Sequence, residues 1–188
     1  MAGAFDPVAP PLENGMPAVK EGDTSLRVGL GFDAHRFARR RPLVLGGVRV
    51  RERDGLLGHS DADVLAHAVM DALLGAAGLG DIGTLFPETD PELAGADSLG
   101  LLATVARLLA EQGWALINVD AVVICEEPRI APYRAAMRAR LAAAMGVGVD
   151  RVSLRGTTTE GLGFTGRGDG IAAQAVVLIG PAATEERP

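Results

Sequence analysis

The sequence predicts an α+β sandwich fold, in which helices are layered on one mixed β-sheet within a single domain. Three stretches have the apolar spacing of helices, and they alternate with roughly five or six short apolar runs rich in β-branched residues. The length of 188 residues matches one typical domain. With 48% hydrophobic residues, the chain can form its core without disulfides.

The predicted strands begin at Leu26, where a segment of alternating residues runs to Asp33. A hairpin interrupted by glycines is expected over 42–50, because short apolar runs flank its Gly-Gly pair. Later apolar runs predict three more strands, at 119–125, 152–156 and 171–180. These strands supply the mixed sheet of the predicted fold.

Helices are predicted at three places, 60–78, 98–112 and 131–145. In the second and third, the basic residues lie opposite the apolar ones, as on a helix with an outward face. In the first, Asp63, His67 and Asp71 follow one another at helical spacing along a polar stripe. Ser98 is predicted to cap the second helix, away from any site.

Composition excludes several functional classes. The net charge of −6 has the wrong sign for a protein that binds nucleic acid through its phosphates. No apolar run approaches the roughly 18 residues that a membrane helix needs, and the N-terminal segment lacks a signal-peptide pattern. The single cysteine, Cys125, suits a reducing compartment, so a cytoplasmic protein is expected. The predicted domain is 26–182, between tails at 1–25 and 183–188.

The histidines predict a metal site. All three of them, His35, His59 and His67, lie within 33 consecutive residues. In an extended segment, Asp33 and His35 project to the same side, and His67 can join them from the first helix. Oxygen and nitrogen donors without a thiolate suit Zn²⁺ or another divalent ion with an open fourth position. Asp71 or a backbone carbonyl is expected to accept the other ring N–H of His67.

Ser60 and Asp63 resemble a capping box that would open the first helix at Ser60. His59 directly precedes this predicted N-terminus, where an anionic ligand group would be favoured. The two interpretations of His59, a residue beside a helix cap and a donor to a ligand, stay open at this point.

The segment 155–170 combines glycines, threonines and Glu160 after a strand. It suits either a diphosphate held through Mg²⁺ or a plain glycine-rich turn. The carboxylates of the loop 81–91 suit either solvent or the hydroxyls of a sugar or polyol.

Three blocks of sequence, GFDAH, HSDADVLAHAVMDALLGAAGLGDIGTLFP and TTTEGLGFTGRGDGIA, resemble the 2-C-methyl-D-erythritol 2,4-cyclodiphosphate synthase family. The resemblance runs from about Arg27 to Ile179. It implies a metal-dependent phosphorus–oxygen lyase of the non-mevalonate isoprenoid pathway. The implied substrate is 4-diphosphocytidyl-2-C-methyl-D-erythritol 2-phosphate, which cyclises and releases CMP. The resemblance also implies a homotrimer with active sites at its subunit boundaries.

The family's metal ligands fall on Asp33, His35 and His67, and Glu160 matches the ligand of a second cation, Mg²⁺ or Mn²⁺. His59 and Thr158 match the residues credited with transition-state stabilisation. The other residues that the resemblance assigns to the substrate are Ser60, Asp81, Ile82, Gly83, Phe86, Pro87, Glu88, Thr89, Asp90, Cys125, Glu126, Glu127, Pro128, Arg129, Ile130, Ala131, Thr157, Thr159, Phe164 and Arg167, together with the ligands themselves.

Within that set, 125–131 and Thr157 correspond to the nucleotide side, Asp81 and Gly83 to the ribose, and 86–90 to the methylerythritol. Phe164 and Arg167 correspond to positions near the trimer axis. The sequence departs from the family pattern at five positions, with Glu88 for Asp, Glu126 for Gln, Arg129 and Arg155 for Lys, and Gly161 for Lys.

Two other functions agree with the same residues. A metal-dependent phosphohydrolase would use the open zinc position to activate water. A trimeric module that only binds isoprenoid phosphates would need no chemistry at the ion. The reaction products and the metal dependence of turnover distinguish these three functions.

Overall fold

The computed structural model describes residues 25–87 and 89–182. The predicted tails lie outside this range except for residue 25, and so does Glu88. The described chain forms a mixed five-stranded sheet with helices packed on one face, which confirms the predicted fold class. Among the described residues, no helix is both long and apolar enough to cross a bilayer.

Seven strands are present in the described chain: β1 Arg27–Ala38, β2 Leu43–Leu45, β3 Val48–Arg51, β4 Gly55–Leu56, β5 Trp114–Ile124, β6 Val152–Thr157 and β7 Gly170–Pro181. The main sheet has the order β4-β1-β7-β5-β6, and only β5 and β6 pair in parallel. The predicted hairpin is confirmed, but β2 and β3 form a small sheet of their own. The two-residue strand β4 is too short for a sequence pattern to predict.

The helices are α1 Val64–Ala77, α2 Ile82–Leu85, α3 Ser98–Glu111, α4 Arg134–Met145 and α5 Gly163–Gly166, with 3₁₀ turns at Pro91–Leu93 and Val149–Arg151. The short helices α2 and α5 lie in segments that the sequence predicts as loops. α4 begins three residues later than predicted, because residues 131–133 form a turn before it.

The predicted start of α1 at Ser60 is wrong. Ala62 has a φ angle of 58°, in the left-handed region, so a right-handed helix cannot include it. The N-cap is Asp63, whose carboxylate accepts hydrogen bonds from the backbone N–H groups of Leu65 and Ala66. His67 therefore lies in the first turn of α1.

α1 is the central helix of the molecule, and 12 of its 14 residues are buried. It packs against β1 and β7 on one side and against α3 on another. The predicted apolar stripes of the other long helices are confirmed. The buried apolar residues are Leu102, Val105 and Leu109 in α3, and Met137, Leu141, Ala142 and Met145 in α4.

Two glycines in β1 let the backbone of α1 approach the sheet closely. A Cβ added at Gly29 would lie 1.9 Å from the carbonyl oxygen of Ala72, and one at Gly31 would lie 1.9 Å from that of Ala68. Gly31, Asp33 and His35 are two residues apart along the strand, so they share the face that α1 covers. Because Gly29 and Gly31 have no side chains, α1 lies close enough to β1 for His67 to reach Asp33 and His35.

The other face of β1 is apolar and exposed in the single chain. Val28, Leu30 and Phe32 are 67%, 60% and 55% exposed. In the antiparallel register, Val28 pairs with Leu178 and Leu30 pairs with Val176, so these side chains form one patch. We call these five residues the open-face patch.

Gly31→Ala is expected to destabilise the protein by about 3 kcal/mol, because the new methyl group would overlap backbone atoms that cannot rotate away. It should also weaken metal binding, since α1 would move away from Asp33. Gly75→Ala is the matched control: it lies in α1 with no atom within 4 Å of the added Cβ. Thermal unfolding and zinc titration measure both effects. Equal stability of the two variants would contradict the close packing at Gly31.

Candidate metal centre and active site

Asp33, His35 and His67 meet as the sequence predicts. The distances are 3.0 Å from Asp33 Oδ2 to His35 Nε2, 2.9 Å from Asp33 Oδ2 to His67 Nδ1, and 3.2 Å between the two imidazole nitrogens. The other carboxylate oxygen, Oδ1, accepts a hydrogen bond of 2.8 Å from the N–H of Ala34. The three atoms therefore form a nearly equilateral triangle at the junction of β1 and α1.

The triangle has the dimensions that a tetrahedral ion requires. Ligand atoms about 2.1 Å from a tetrahedral Zn²⁺ lie about 3.4 Å from one another, slightly farther apart than these atoms are. One carboxylate and two imidazoles also match the ligand types of catalytic zinc sites. The described residues thus fit a divalent ion held by Asp33, His35 and His67.

The electrostatics of the triangle favour positive charge between its three groups. Burial raises the pKa of the Asp33 carboxyl, but hydrogen bonds and charge from His35 and His67 outweigh it and hold that pKa well below its usual range. Burial lowers the pKa of His67, but the hydrogen bond and the charge of Asp33 raise it further, so the net shift is upward. Both shifts have the direction that favours a positive charge beside the Asp33 carboxylate.

The second nitrogen of His67 contacts two hydroxyl groups rather than Asp71. Its Nε2 lies 3.2 Å from Ser60 Oγ and 3.1 Å from Ser98 Oγ. The expectation that Asp71 or a carbonyl accepts this ring N–H is wrong, because Asp71 instead accepts the N–H of Ile82 at 2.9 Å.

Ser98 is not a distant helix cap. Its side chain is fully buried against His67, and the cap of α3 is its neighbour Asp97. The prediction that Ser98 lies away from the site is therefore wrong. Sequence reasoning missed this contact because the serine stands at the start of a predicted helix, where capping already explains it.

The N-terminus of α1 is not an anion site. The Asp63 carboxylate is fully buried there, and burial raises its pKa. It accepts hydrogen bonds from four backbone N–H groups, those of Gly46, Gly47, Leu65 and Ala66. The interpretation that places His59 beside an anion-binding helix end is wrong, since Asp63 already supplies the negative charge.

His59 nevertheless lies in the cleft above the triangle. Its Nε2 is 3.1 Å from the carbonyl oxygen of Asp90, and since a carbonyl only accepts, Nε2 donates this hydrogen bond. The segment that carries His59 is held by Arg41, whose guanidinium donates to the carbonyl oxygens of Gly58 and Ser60. Sequence reasoning missed Arg41, because its contact joins segments that no local pattern links.

The cleft has a volume of about 150 Å³. Its lining contains eight residues that the sequence assigns to the site, Asp33, His35, His59, Ser60, His67, Ile82, Gly83 and Phe86, with Met70, Leu93 and Leu101 in addition. Asp81 lies beside it as the N-cap of α2, where the N–H of Thr84 lowers the pKa of its carboxyl. Pro87 and Thr89 follow at the end of this segment.

A second cleft of about 320 Å³ lies at the carboxyl ends of the parallel strands β5 and β6. Most of the predicted nucleotide segment lines it, together with Thr157 and Thr158. Arg129, Arg134 and Arg155 add positive charge. Cys125 is buried, and burial raises the pKa of its thiol to about 11, so the thiol is neutral at physiological pH. Glu127 is exposed and pairs with Arg51.

The loop after β6 carries the threonines and Glu160. Thr158 Oγ1 donates a hydrogen bond of 2.7 Å to Glu160 Oε1, and Glu160 has a φ angle of 53°. Glu126 Oε1 accepts hydrogen bonds from the N–H groups of Thr159 and Gly161, on both sides of Glu160. Glu126 therefore ties this loop to the predicted nucleotide segment.

Phe164 and Arg167 lie farther along the chain, at and after α5. Phe164 is 40% exposed, and Arg167 forms a surface ion pair with Asp169. The structure places neither residue in the cleft above the triangle.

Comparison with known proteins agrees with these features. Residues 26–180 match the family model described as the YgbB family. The 2-C-methyl-D-erythritol 2,4-cyclodiphosphate synthase of Rubrobacter xylanophilus is 64% identical over 156 residues, which cover 81% of this chain and 94% of that protein.

Two solved structures share the fold. The IspF–CDP complex of Plasmodium falciparum is 31% identical with a TM-score of 0.74, covering 85% of this chain and 99% of that one. The bifunctional IspDF of Campylobacter jejuni is 42% identical with a TM-score of 0.82 over 85% of this chain. This chain spans only 43% of that bifunctional protein.

The pH dependence of metal binding follows from these shifts. The raised pKa of His67 means that its contact with Asp33 stabilises the metal-free protein fully below about pH 6.5 and loses this effect as the pH rises through the folded-state pKa. The lowered pKa of Asp33 means that its contribution is lost only in strong acid. Because an ion must displace the proton on His67, zinc affinity should rise with pH, by up to about tenfold per unit until that pKa is passed.

The measurement is the shift in melting temperature caused by zinc between pH 5.5 and 8.5. The shift should grow with pH in the wild-type protein and be small throughout in His67→Ala. A wild-type shift that does not change with pH would show that zinc binds elsewhere.

Proposed function

This chain belongs to the YgbB family, and we propose that it acts as its curated relatives are named. It is a lyase that converts 4-diphosphocytidyl-2-C-methyl-D-erythritol 2-phosphate to 2-C-methyl-D-erythritol 2,4-cyclodiphosphate and releases CMP, in the non-mevalonate isoprenoid pathway. The observation that carries this conclusion is the triangle of Asp33, His35 and His67, which lies within the matched residues 26–180.

In this reaction, one phosphate of the substrate attacks the β-phosphorus of a diphosphate in the same molecule. All of the reacting groups are anionic, and the protein itself carries a net charge of −6. Local positive charge is therefore required. We assign Zn²⁺ to Asp33, His35 and His67, and Mg²⁺ or Mn²⁺ to Glu160 with the substrate's diphosphate. When bound, these ions supply Lewis acidity and charge neutralisation to the phosphates.

The protein's own contribution is to fold the substrate so that nucleophile and electrophile meet in line. Effective molarities in such reactions reach about 10⁵ M or more. His59 and Thr158 are assigned as hydrogen-bond donors to oxygens whose charge changes in the transition state. Since His59 Nε2 donates to Asp90, Nδ1 is the ring atom left for a substrate oxygen, and it donates to that oxygen only when the ring carries a proton on both nitrogens. The Thr158 hydroxyl lies next to Glu160 and can turn from it to the substrate.

The second cleft is assigned to the cytidine diphosphate. The Plasmodium falciparum relative was solved as a complex with CDP, which supports a ligand of this class. Residues 125–131, with Thr157 and Thr159, would surround the nucleotide, and the neighbouring arginines would face its phosphates. Asp81 and Gly83 are assigned to the ribose, and Ser60 with Ile82 to the substrate beside the ion.

Residues 86–90 are assigned to the methylerythritol. Phe86 lines the first cleft, and Pro87, Thr89 and Asp90 follow it along the chain. Glu88, which lies outside the described residues, is assigned to the same group. Phe164 and Arg167 are assigned to the trimer axis. The catalytic domain is taken as 26–182, and a cytoplasmic location is proposed because a chain with the single cysteine Cys125 suits a reducing compartment.

The functional unit is proposed to be a homotrimer with active sites at its subunit boundaries. The open-face patch supports this proposal, because a contiguous apolar surface of this kind is unusual on a monomer. The two clefts share no lining residue among those described, which agrees with a site that combines the first cleft of one subunit with the second cleft of its neighbour. Such a site would be incomplete in a single chain.

Turnover in ¹⁸O-labelled water tests the reaction. We expect CMP and a cyclic diphosphate in equal amounts, without ¹⁸O in either product, because the nucleophile is a phosphate of the substrate itself. Activity should fall by more than about 100-fold after chelation and return with Zn²⁺ and Mg²⁺. Incorporation of ¹⁸O into the organic phosphate would establish a phosphohydrolase instead. Binding of the substrate without turnover by the metal-loaded protein would establish a binding module.

Leu30→Glu is expected to dissociate the trimer and reduce turnover by at least about tenfold, because it places a carboxylate in an apolar interface without a partner. Light scattering coupled to gel filtration measures the mass. Val149→Glu is the control, since Val149 is also exposed but lies on a 3₁₀ turn outside the patch, and it should leave the mass unchanged. A trimer that survives Leu30→Glu would exclude this face as the interface.

A further inference from the structure

A pair of hydrogen bonds through the buried Ser98, at the start of α3, links His67 to Asp61. Ser98 Oγ lies 3.1 Å from His67 Nε2, and the same hydroxyl donates a short hydrogen bond to Asp61 Oδ1. Asp61 Oδ2 also accepts the backbone N–H of Ser98 at 3.2 Å. Ser98 has no exposed surface, so its contact with His67 is shielded from competing water, while Asp61 is half-buried.

The chemistry of Asp61 determines the direction of both bonds. A carboxylate only accepts, so the hydroxyl proton of Ser98 is committed to Asp61. The Ser98 oxygen can then only accept a hydrogen bond from His67, which requires a proton on Nε2. With that proton fixed, the remaining nitrogen, Nδ1, presents its lone pair to the position between Asp33 and His35.

We propose that Asp61 and Ser98 form a two-bond relay that keeps the proton of His67 on Nε2 and directs Nδ1 at the metal ion. Ser98 and Asp61 are thus positioning residues of the metal centre, which act through His67. The inference rests on the proposed function only in taking the three ligands to hold an ion.

Helix capping alone does not account for this arrangement. The cap of α3 is Asp97, whose carboxylate accepts the N–H of Leu99. The hydroxyl of Ser98 points instead to His67 and Asp61, which belong to other parts of the chain. Ser60 also lies 3.2 Å from His67 Nε2, but its oxygen accepts the N–H of Ala62, and no carboxylate of the described residues hydrogen-bonds to its hydroxyl.

The test compares zinc affinity in Ser98→Ala, Asp61→Asn and the double variant, using competition with a chromogenic chelator. Ser98→Ala should weaken zinc binding by about 10- to 100-fold, the usual effect of removing a partner of a metal-bound histidine. Asp61→Asn should weaken zinc binding as well. Its amide nitrogen would place N–H donors opposite either the hydroxyl or the backbone N–H of Ser98, which are donors themselves. The double variant should lose no more affinity than Ser98→Ala, because Asp61 acts through Ser98.

Asp97→Ala is the matched control, since it removes the true cap of the same helix start without touching His67. It should lower the melting temperature of the metal-free protein about as much as Ser98→Ala does, while zinc affinity stays within about twofold of wild type. The Hε2 proton of His67, observed by NMR in the zinc-loaded wild type, should exchange faster with water in Ser98→Ala. If Ser98→Ala does not fold, Asp61→Asn carries the same prediction.

Zinc affinity in Ser98→Ala equal to that in Asp97→Ala would overturn the proposal. So would a loss in Ser60→Ala as large as that in Ser98→Ala, because the proton of Nε2 would then go to Ser60. Either result can be obtained without the substrate. A wild-type protein that binds zinc but does not cyclise its substrate would overturn the proposed function and leave the relay intact.

Discussion

Three polar atoms held 2.9 to 3.2 Å apart set the main constraint on this molecule. Without a positive charge between them, the carboxylate oxygen and two imidazole lone pairs would repel one another. The arrangement therefore favours positive charge at this point, which agrees with the upward shift of the His67 pKa beside the Asp33 carboxylate. The close packing at Gly31, the hydrogen bond to the second oxygen of Asp33 and the burial of His67 all hold the triangle in place before an ion arrives.

A second constraint concerns the source of positive charge. The N-terminus of α1 lies at the metal-binding end of the helix, and such termini often bind phosphates. Here the buried carboxylate of Asp63 occupies it and joins it to the turn of the β2–β3 hairpin. The helix end thus contributes to stability, and Asp63 already accepts from the N–H groups of Leu65 and Ala66 that a phosphate would use. For an anionic substrate on a chain with a net charge of −6, charge must come from bound ions and from arginine side chains.

The sequence predicts the meeting of Asp33, His35 and His67 because local geometry largely determines it. Residues two apart on a strand share a face, so Asp33 and His35 could be paired from the sequence alone. His67 could be added from the polar stripe of its helix. The start of α1 could not be predicted, because the left-handed backbone at Ala62 shifts the cap by three residues. The contact of Ser98 with Asp61 joins residues 37 positions apart, and no local pattern encodes it.

The parallel pair β5 and β6 explains how the predicted nucleotide segment and the Glu160 loop come together. Both segments leave the carboxyl edge of the sheet, where ligands of open α/β sheets usually bind. Glu126 joins them with a single oxygen, Oε1, which accepts from the N–H groups on both sides of Glu160. An amide oxygen accepts in the same way, so glutamate can replace the glutamine typical of the family without loss of these bonds. The replacement adds a negative charge beside Glu160, however, and two neighbouring carboxylates repel a diphosphate unless a cation lies between them.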